Sequence, residues 1–317
     1  MSEPYLSIVV TGRNDDFGGD FTGRFFRALR FNLHALAEAG ISHEVVFVEW
    51  RPVEGRPYLA SALREAFAEL VPERLRCFVV DRHYHDAVSL NPRLQFQEFM
   101  AKNVGIRRSR GQFVLTTNTD VYLGRGVVST LAQARLKPGV LYRATRVDLT
   151  DGLDVGASGW DVLEELRHQE VTNGIRPPFF TNASGDFLLL DAPAYRHLGG
   201  FNEVYRRAKI HIDSNFCVNA HASGVAVEDI GYPVYHLGRG TFVAERGRYT
   251  GRQELAPWGN RYWHKGVSYR NQDGWGLRYA PEHSLAEGLM FLAFDWGAVP
   301  RMVDLAGIVS RSAVAMI

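Results

Sequence analysis

The sequence of 317 residues has little cysteine, little lysine and no long apolar run, and each shortage excludes a class of protein. Its two cysteines, Cys77 and Cys217, lie within apolar stretches, which favours buried free thiols over a disulfide framework or a cysteine metal site. Only four of its 36 basic residues are lysines, and the formal net charge of +1 gives no electrostatic basis for binding nucleic acid. No stretch approaches the roughly 18 consecutive apolar residues that a membrane-spanning helix needs.

The amino-terminal residues do not form a basic start followed by an apolar run, so no secretory signal is expected and a cytoplasmic protein is predicted. The apolar and charged fractions are ordinary for a globular protein with a substantial core. The length fits one large domain or a domain with an appendage.

Strands and helices alternate along the first 123 residues. Apolar runs of strand length predict strands over 6–10, 44–50, 75–80 and 113–115. Apolar residues at helical spacing predict helices over 25–40 and 60–70, and a third that ends at Gly111. This alternation predicts parallel βαβ units in a three-layer α/β sandwich.

The pattern continues with less regularity to residue 238. A helix is predicted over 127–135 and another over 214–223, with strands near 139–144, 187–190, 225–227 and 234–237 and an irregular stretch over 148–182.

Polar residues follow the predicted strand 113–115 directly, and Asp120 is the carboxylate among them. Ligands of open α/β sheets bind at the carboxyl ends of the strands, so a carboxylate at this position is expected to face a site rather than the core.

The segments Ala101-Lys-Asn-Val-Gly-Ile106, Gly111-Gln-Phe-Val-Leu115 and Asn118-Thr-Asp120 resemble the centre of GT-A-fold glycosyltransferases of the family 2 type. In that family an Ala-Arg-Asn-x-Gly helix leads through a Gly-Glu-Tyr strand to an Asp-x-Asp motif. A second block, His197-Leu-Gly-Gly-Phe-Asn-Glu203 followed by Asp213, resembles the family's Gly-Gly-Phe-Asp-Glu and Glu-Asp pattern.

The resemblance covers about residues 6–238 and implies a GT-A, Rossmann-like three-layer fold with a mostly parallel central sheet. It also implies an enzyme that transfers a sugar from a nucleotide-diphosphate sugar to a saccharide or lipid-linked acceptor, as in polysaccharide biosynthesis. Residues 1–123 are then the nucleotide-binding half, and 124–238 the acceptor and catalytic half. The chain departs from the family at Asn118, where an aspartate is usual, and at Ile212, where a glutamate is usual.

By this resemblance, Asp120 and His236 are predicted to bind a divalent metal, Mn²⁺ or Mg²⁺, and an imidazole ligand suits Mn²⁺ better. Asp120 has an alternative role as a cap of the turn that follows it. His236 has an alternative role as a core or inter-strand histidine.

The resemblance makes Asp213 the predicted general base of an inverting displacement. The alternative, which is compatible with it, is an N-cap for the helix that starts at Ser214. Asp186 corresponds to a contact with the donor or acceptor sugar, and its alternative role is that of a turn residue.

A further set of residues is predicted to bind the nucleotide. Its members follow strands or lie on the helix before Gly111: Thr11, Arg13, Asn14, Glu49, Lys102 and Asn118. Glu49 corresponds to a contact with the base, Lys102 to a contact with the diphosphate, and Asn118 to a hydrogen bond with a ribose hydroxyl. Lys102 has an alternative role on a solvated helix face.

Residues 239–317 form a predicted carboxyl-terminal extension. The part over 239–283 is rich in aromatic residues and is expected to be ordered but irregular, and 258–279 is either an acceptor platform or packing on the core. The last 34 residues are apolar at intervals and predict helices packed on the main domain or on a second subunit of a homo-oligomer. The alternative is a peripheral membrane contact.

Two other functions remain open from the sequence. A sugar-nucleotide nucleotidyltransferase would carry a Gly-x-Gly-x-Arg-Leu loop after the first strand, which Thr11-Gly-Arg-Asn14 does not match. A non-catalytic relative that only binds nucleotide or glycan would explain the departures at Asn118 and Ile212.

Overall fold

The computed structural model describes residues 3–149, 159–166, 171–206, 211–237 and 270–299. Its strands are β1 Leu6–Gly12, β2 His43–Trp50, β3 Leu75–Val80, β4 Phe113–Thr116, β5 Val121–Leu123, β6 Val140–Arg143, β7 Arg146–Leu149, β8 Val171–Asn173, β9 Leu188–Asp191, β10 Ala226–Asp229, β11 Val234–Leu237, β12 Glu282–Ala286 and β13 Leu289–Leu292. Its helices are α1 Phe21–Glu38, α2 Leu59–Ala66, α3 Arg82–Val88, α4 Glu98–Arg108, α5 Arg125–Ala132, α6 Gly159–Leu166, α7 Ala192–Leu198 and α8 Ile212–Ala222.

Nine strands form the central sheet, in the spatial order β10-β6-β9-β4-β1-β2-β3-β13-β12. Five of the eight neighbouring pairs are parallel, and the antiparallel pairs are the two that β9 makes and the edge pair of β12 with β13. The predicted mostly parallel α/β sheet is therefore confirmed.

Two apolar cores lie on opposite faces of this sheet. Along β2, Val45 and Phe47 belong to one core, while Val46 and Val48 belong to the other. The first core contains the apolar faces of α1 and α2, and the second contains those of α4, α7 and α8. A strand that is buried on both faces needs an unbroken apolar run, which is why these runs predict the three layers.

A second sheet has the strand order β5-β11-β7-β8. In it, β11 lies between β5, which is antiparallel to it, and β7, which is parallel to it. Strands β5 and β7 were not predicted, because runs of three or four residues show too little periodicity. This small sheet brings residues together that are far apart in the chain.

The prediction of helices in the last 34 residues is wrong for the part that the structure describes, because residues 282–292 form two strands. Gly288, with φ +67°, sits in the tight turn that joins β12 to β13, and β13 then pairs in parallel with β3. Leucines four residues apart fit a helix, but they fit a hairpin equally when the turn falls between them. Residues 258–269 and 300–317 lie outside the described residues.

Other differences concern element ends and short helices. The helix predicted over 60–70 ends at Ala66 and continues as a 3₁₀ turn over Ala68–Leu70. The short helices α3 and α7 were not predicted. Among the helices that the structure describes, none is long and apolar enough to cross a membrane.

Glu203 is a wholly buried carboxyl group that joins the segment around Gly276 to α4. Its Oε1 accepts hydrogen bonds from Asn103 Nδ2 and from the Gly276 backbone N–H, each at 2.9 Å. Burial raises the pKa of Glu203 to about 8, because the charged form loses its hydration.

This raised pKa predicts that stability falls as pH increases from 4.5 towards 8. The folded protein keeps a proton that the unfolded chain releases, so the free energy of unfolding drops by about 1.4 kcal/mol per pH unit in this window. Glu203→Gln removes this component, so its stability relative to the wild type should improve steadily from pH 5 to pH 8 in urea unfolding. The exposed Glu228→Gln is the control, and parallel pH curves for the wild type and Glu203→Gln would contradict the prediction.

Candidate active site

The candidate site lies at the carboxyl edge of the central sheet. Here β1 ends at Gly12, β2 at Trp50 and β4 at Thr116, and a polar loop follows each of them. After β4 the chain runs through Thr117–Asp120 directly into β5 of the second sheet. Asp120 therefore lies at the junction of the two sheets.

Asp120 and His236 face each other at this junction. His236 on β11 is opposite Val121, the residue next to Asp120, and its Nε2 lies 3.4 Å from Asp120 Oδ1. Burial by itself lowers the pKa of His236, but the neighbouring carboxylates outweigh it and raise the pKa to about 10. Burial likewise raises the pKa of Asp120, yet the charge of His236 reverses this and holds it below its usual value.

This pair fits part of a divalent-metal shell. Two ligands of one cation at roughly 2.1 Å each can lie at most about twice that distance apart, and 3.4 Å falls inside this limit. Within the ranges that the structure describes, no group of three or more His, Cys, Asp or Glu side chains is arranged to hold a metal. Among the described residues, this pair would supply two ligands, and substrate phosphates and water are common further ligands of Mg²⁺.

Arg146 and Asp148, on β7, belong to the same cluster although the sequence analysis did not identify them. Asp148 is opposite His236 in the strand register, and its Oδ1 lies 3.3 Å from His236 Nδ1. The Arg146 guanidinium pairs with Asp148 at 3.0 Å and with Asp186 Oδ2 at 2.7 Å. The sequence signal that could have identified them is the alternation of charged and apolar residues over 146–149, which is typical of a half-buried strand.

Lys102 is fully buried and has all three of its N–H donors engaged. Its Nζ donates to Glu98 Oε1 at 2.7 Å, to Asn118 Oδ1 at 2.8 Å and to the Gly185 carbonyl at 2.9 Å. Its alternative placement on a solvated face is therefore wrong. A contact with a diphosphate stays a prediction, and it would require one of these bonds to be exchanged.

Asp213 lies in the first turn of α8. The helix begins at Ile212 and its N-cap is His211, so the alternative of Asp213 as an N-cap is wrong by two positions. Its Oδ2 accepts hydrogen bonds from Ser184 Oγ at 2.8 Å and from the Gly185 N–H at 2.6 Å. In the described part of the chain, no donor is bonded to Oδ1.

The 3₁₀ turn Ser184–Asp186 connects these groups. Ser184 and Gly185 hold Asp213, the Gly185 carbonyl accepts from Lys102, and Asp186 accepts from Asn118 Nδ2 at 2.6 Å. The buried Arg143 guanidinium anchors the preceding loop by donating to the carbonyls of Phe180, Asn182 and Ser184. Lys102, Asn118, Asp186 and Asp213 are thereby brought together, and Arg146 and Asp148 extend the network to His236 and Asp120.

The other predicted nucleotide-binding residues lie at the ends of β1 and β2. Thr11 is buried near the end of β1. Arg13 Nε donates to the Arg51 carbonyl at 2.8 Å, and Asn14 Oδ1 accepts from the Val53 N–H at 2.6 Å, so both tie the loop after β1 to the loop after β2.

Glu49 is buried beneath these loops. Its Oε2 accepts from the Ala60 N–H at 2.9 Å, at the start of α2, and burial raises its pKa to about 7. A contact between Glu49 and a base, like the roles of Thr11, Arg13 and Asn14, stays a prediction.

Comparisons with solved structures find many chains of similar fold, and two of them are described below. No family model matches the sequence, and no curated protein matches it either. Residues 1–349 of S. aureus TarS are 12% identical with a TM-score of 0.44, over 80% of this chain and 72% of that one. The catalytic domain of Drosophila β1,4-galactosyltransferase 7, in complex with xylobiose, is 11% identical with a TM-score of 0.42, over 93% of this chain and 97% of that one. Likeness at this level does not by itself assign a function.

Proposed function

We propose that the protein is a glycosyltransferase that moves a sugar from a nucleotide-diphosphate sugar to a saccharide or lipid-linked acceptor. One observation supports the proposal. The half-buried carboxylate of Asp213, with one fixed oxygen, is linked through Gly185, Lys102 and Asn118 to the strand end where Asp120 and His236 meet. Proton abstraction needs a positioned base, and neutralisation of a leaving diphosphate needs groups that can hold a cation, both close to the reacting atoms.

Asp213 is the general base of this reaction. Two hydrogen bonds hold Oδ2, which orients the carboxylate and leaves Oδ1 to take the proton of the acceptor hydroxyl. The acceptor oxygen then forms a bond to the anomeric carbon as the bond from that carbon to the diphosphate oxygen breaks. Attack opposite the leaving group inverts the configuration at that carbon.

Asp120 and His236 are the residues that would hold a divalent cation, Mn²⁺ or Mg²⁺. When bound, such an ion acts as a Lewis acid towards the departing diphosphate. An imidazole in the donor set favours Mn²⁺.

The second candidate is a relative that binds a nucleotide or glycan without catalysis. The observation that favours it is the state of Asn118, whose Oδ1 accepts from Lys102 and whose Nδ2 donates to Asp186. Because both ends of this amide are engaged, it offers little to a ribose or a metal.

Thermal unfolding with UDP, GDP, CDP, ADP and dTDP, each with Mn²⁺, Mg²⁺ or EDTA, tests both candidates. A ligand at roughly one hundred times its Kd adds about 2.7 kcal/mol to the stability, which should raise the midpoint by several degrees. One nucleotide is expected to stabilise the protein, and more strongly with a metal than with EDTA.

Release of that nucleoside diphosphate from its sugar donors, measured with the wild-type protein, then separates the candidates. Release is expected of the transferase. Binding without release from any donor or with any acceptor would favour the second candidate. No stabilisation by any nucleotide would contradict the transferase and a nucleotide-binding relative, and would leave only a glycan-binding relative.

A further inference from the structure

We propose that Asp148 is a positioning residue that turns the His236 ring so that its Nε2 faces Asp120 and a divalent cation. The inference rests on the metal site of the proposed function and adds a residue that the sequence analysis did not assign to it.

The strand register places Asp148 beside His236. In the parallel pair of β7 and β11, Asp148 is the direct partner of His236, while β5 on the other side of β11 brings Asp120 to the opposite edge of the ring. His236 Nδ1 lies 3.3 Å from Asp148 Oδ1 and Nε2 lies 3.4 Å from Asp120 Oδ1, both within ion-pair distance. Each ring nitrogen therefore has its own carboxylate.

A cation that binds the ring displaces the proton from one nitrogen, and the two nitrogens of the resulting neutral imidazole have different roles. One carries the proton and donates, and the other has the lone pair that binds a metal. A carboxylate beside Nδ1 keeps the proton there and leaves the lone pair on Nε2. Metal-binding histidines commonly have such a carboxylate or carbonyl partner, which fixes both the tautomer and the ring orientation.

Asp148 is itself held in place. The Arg146 guanidinium donates to its Oδ2 at 3.0 Å and pairs with its Oδ1 at the same distance. Arg146 also donates to Asp186 Oδ2 at 2.7 Å, and Asp186 belongs to the turn that holds Asp213. Asp148 is only 11% exposed at its side chain, so water competes little for Nδ1. A fixed, shielded carboxylate has the properties needed to orient a ring.

The first test is the affinity for Mn²⁺ alone, measured from the electron paramagnetic resonance signal of the free ion. Asp148→Asn keeps the shape of the side chain but loses its charge, and we expect it to weaken Mn²⁺ binding by about 10–100-fold. Asp148→Glu restores a carboxylate and should recover part of the affinity. The exposed Asp161→Asn is the matched control and should bind as the wild type does.

The second test uses Zn²⁺ as a diamagnetic probe in ¹⁵N NMR of the histidine rings, with His236→Ala to identify the signals. In the wild type, Zn²⁺ is expected to shift Nε2 of His236 as a coordinated nitrogen, with Nδ1 protonated. In Asp148→Asn, the preference for Nε2 should weaken or be lost. A structural role of Asp148 alone would not change which nitrogen coordinates.

The outcomes separate this inference from the proposed function. If Asp148→Asn binds Mn²⁺ as tightly as the wild type and its Nε2 is still the coordinated nitrogen, Asp148 is not a positioning residue and the metal site stands. If the wild type binds no Mn²⁺, alone or with nucleoside diphosphate, and Zn²⁺ leaves its His236 signals unshifted, the metal site and this inference both fall. Sugar transfer is still judged by the release of nucleoside diphosphate.

Discussion

Asp213→Asn is expected to lower the turnover of sugar transfer by about 10²–10⁴-fold, the usual contribution of a positioned general base. The amide oxygen can still accept from Ser184 Oγ and the Gly185 N–H, so the turn and the start of α8 should be preserved. What the amide cannot do is take the proton of an acceptor hydroxyl. The measurement is kcat with the donor and acceptor identified by the nucleotide screen, alongside the Kd for the nucleoside diphosphate, which should change little.

A matched control exists on α6, where Asp161 also lies in the first turn of a helix but is exposed and paired with Arg125. Asp161→Asn should leave kcat unchanged. If Asp213→Asn transfers sugar as fast as this control, another group abstracts the proton and the assignment of Asp213 is wrong.

Lys102→Met is expected to lower the free energy of unfolding by about 3–5 kcal/mol, the cost of breaking a buried ion pair by removing one partner. Methionine fills a similar volume but donates no hydrogen bond. The Glu98 carboxylate, Asn118 Oδ1 and the Gly185 carbonyl would each lose the bond that Nζ makes. Urea unfolding at pH 7, followed by circular dichroism, measures the loss.

Lys137→Met is the control, because Lys137 is exposed and a surface substitution usually changes stability by less than about 0.5 kcal/mol. A loss for Lys102→Met that is no larger than this would mean that the buried ammonium contributes no net stability. Loss of nucleotide binding in a variant that remains folded would instead point to a direct role of Lys102 at the ligand.

The parts of the fold that the sequence predicted are those with local signals. Strands β1 to β4 have unbroken apolar runs, and α1 has leucines and phenylalanines on one face, so burial on both faces of the sheet could be inferred from composition and spacing. Asp120 could be placed at a strand end because polar residues directly follow the apolar run 113–115. These patterns are complete within ten to twenty residues.

The parts of the fold and of the site that could not be predicted depend on residues that are distant in the chain. Strand β7 has four residues and is stabilised by pairing with β11, which lies almost ninety residues further on. Nothing near Asp148 indicates that His236 will lie beside it, because strand register is set by the whole sheet. The hydrogen bonds of Lys102 and Asp213 also cross between elements, so the burial of Lys102 could not be inferred from its helix alone.

The pairing of β13 with β3 has a consequence for the order in which the protein can fold as it is synthesised. Strand β3 is complete at Val80, but the strand that covers its outer side begins at Leu289, more than two hundred residues later. In the folded protein, the backbone N–H groups of Cys77 and Asp81 donate to the carbonyls of Gly288 and Leu292. Until those residues are synthesised, these N–H groups have no strand to pair with. An emerging chain thus presents an open sheet edge during most of translation, and such an edge is a template for pairing with other chains. The edge of β3 is therefore exposed to pairing with other chains until residues 289–292 have been synthesised.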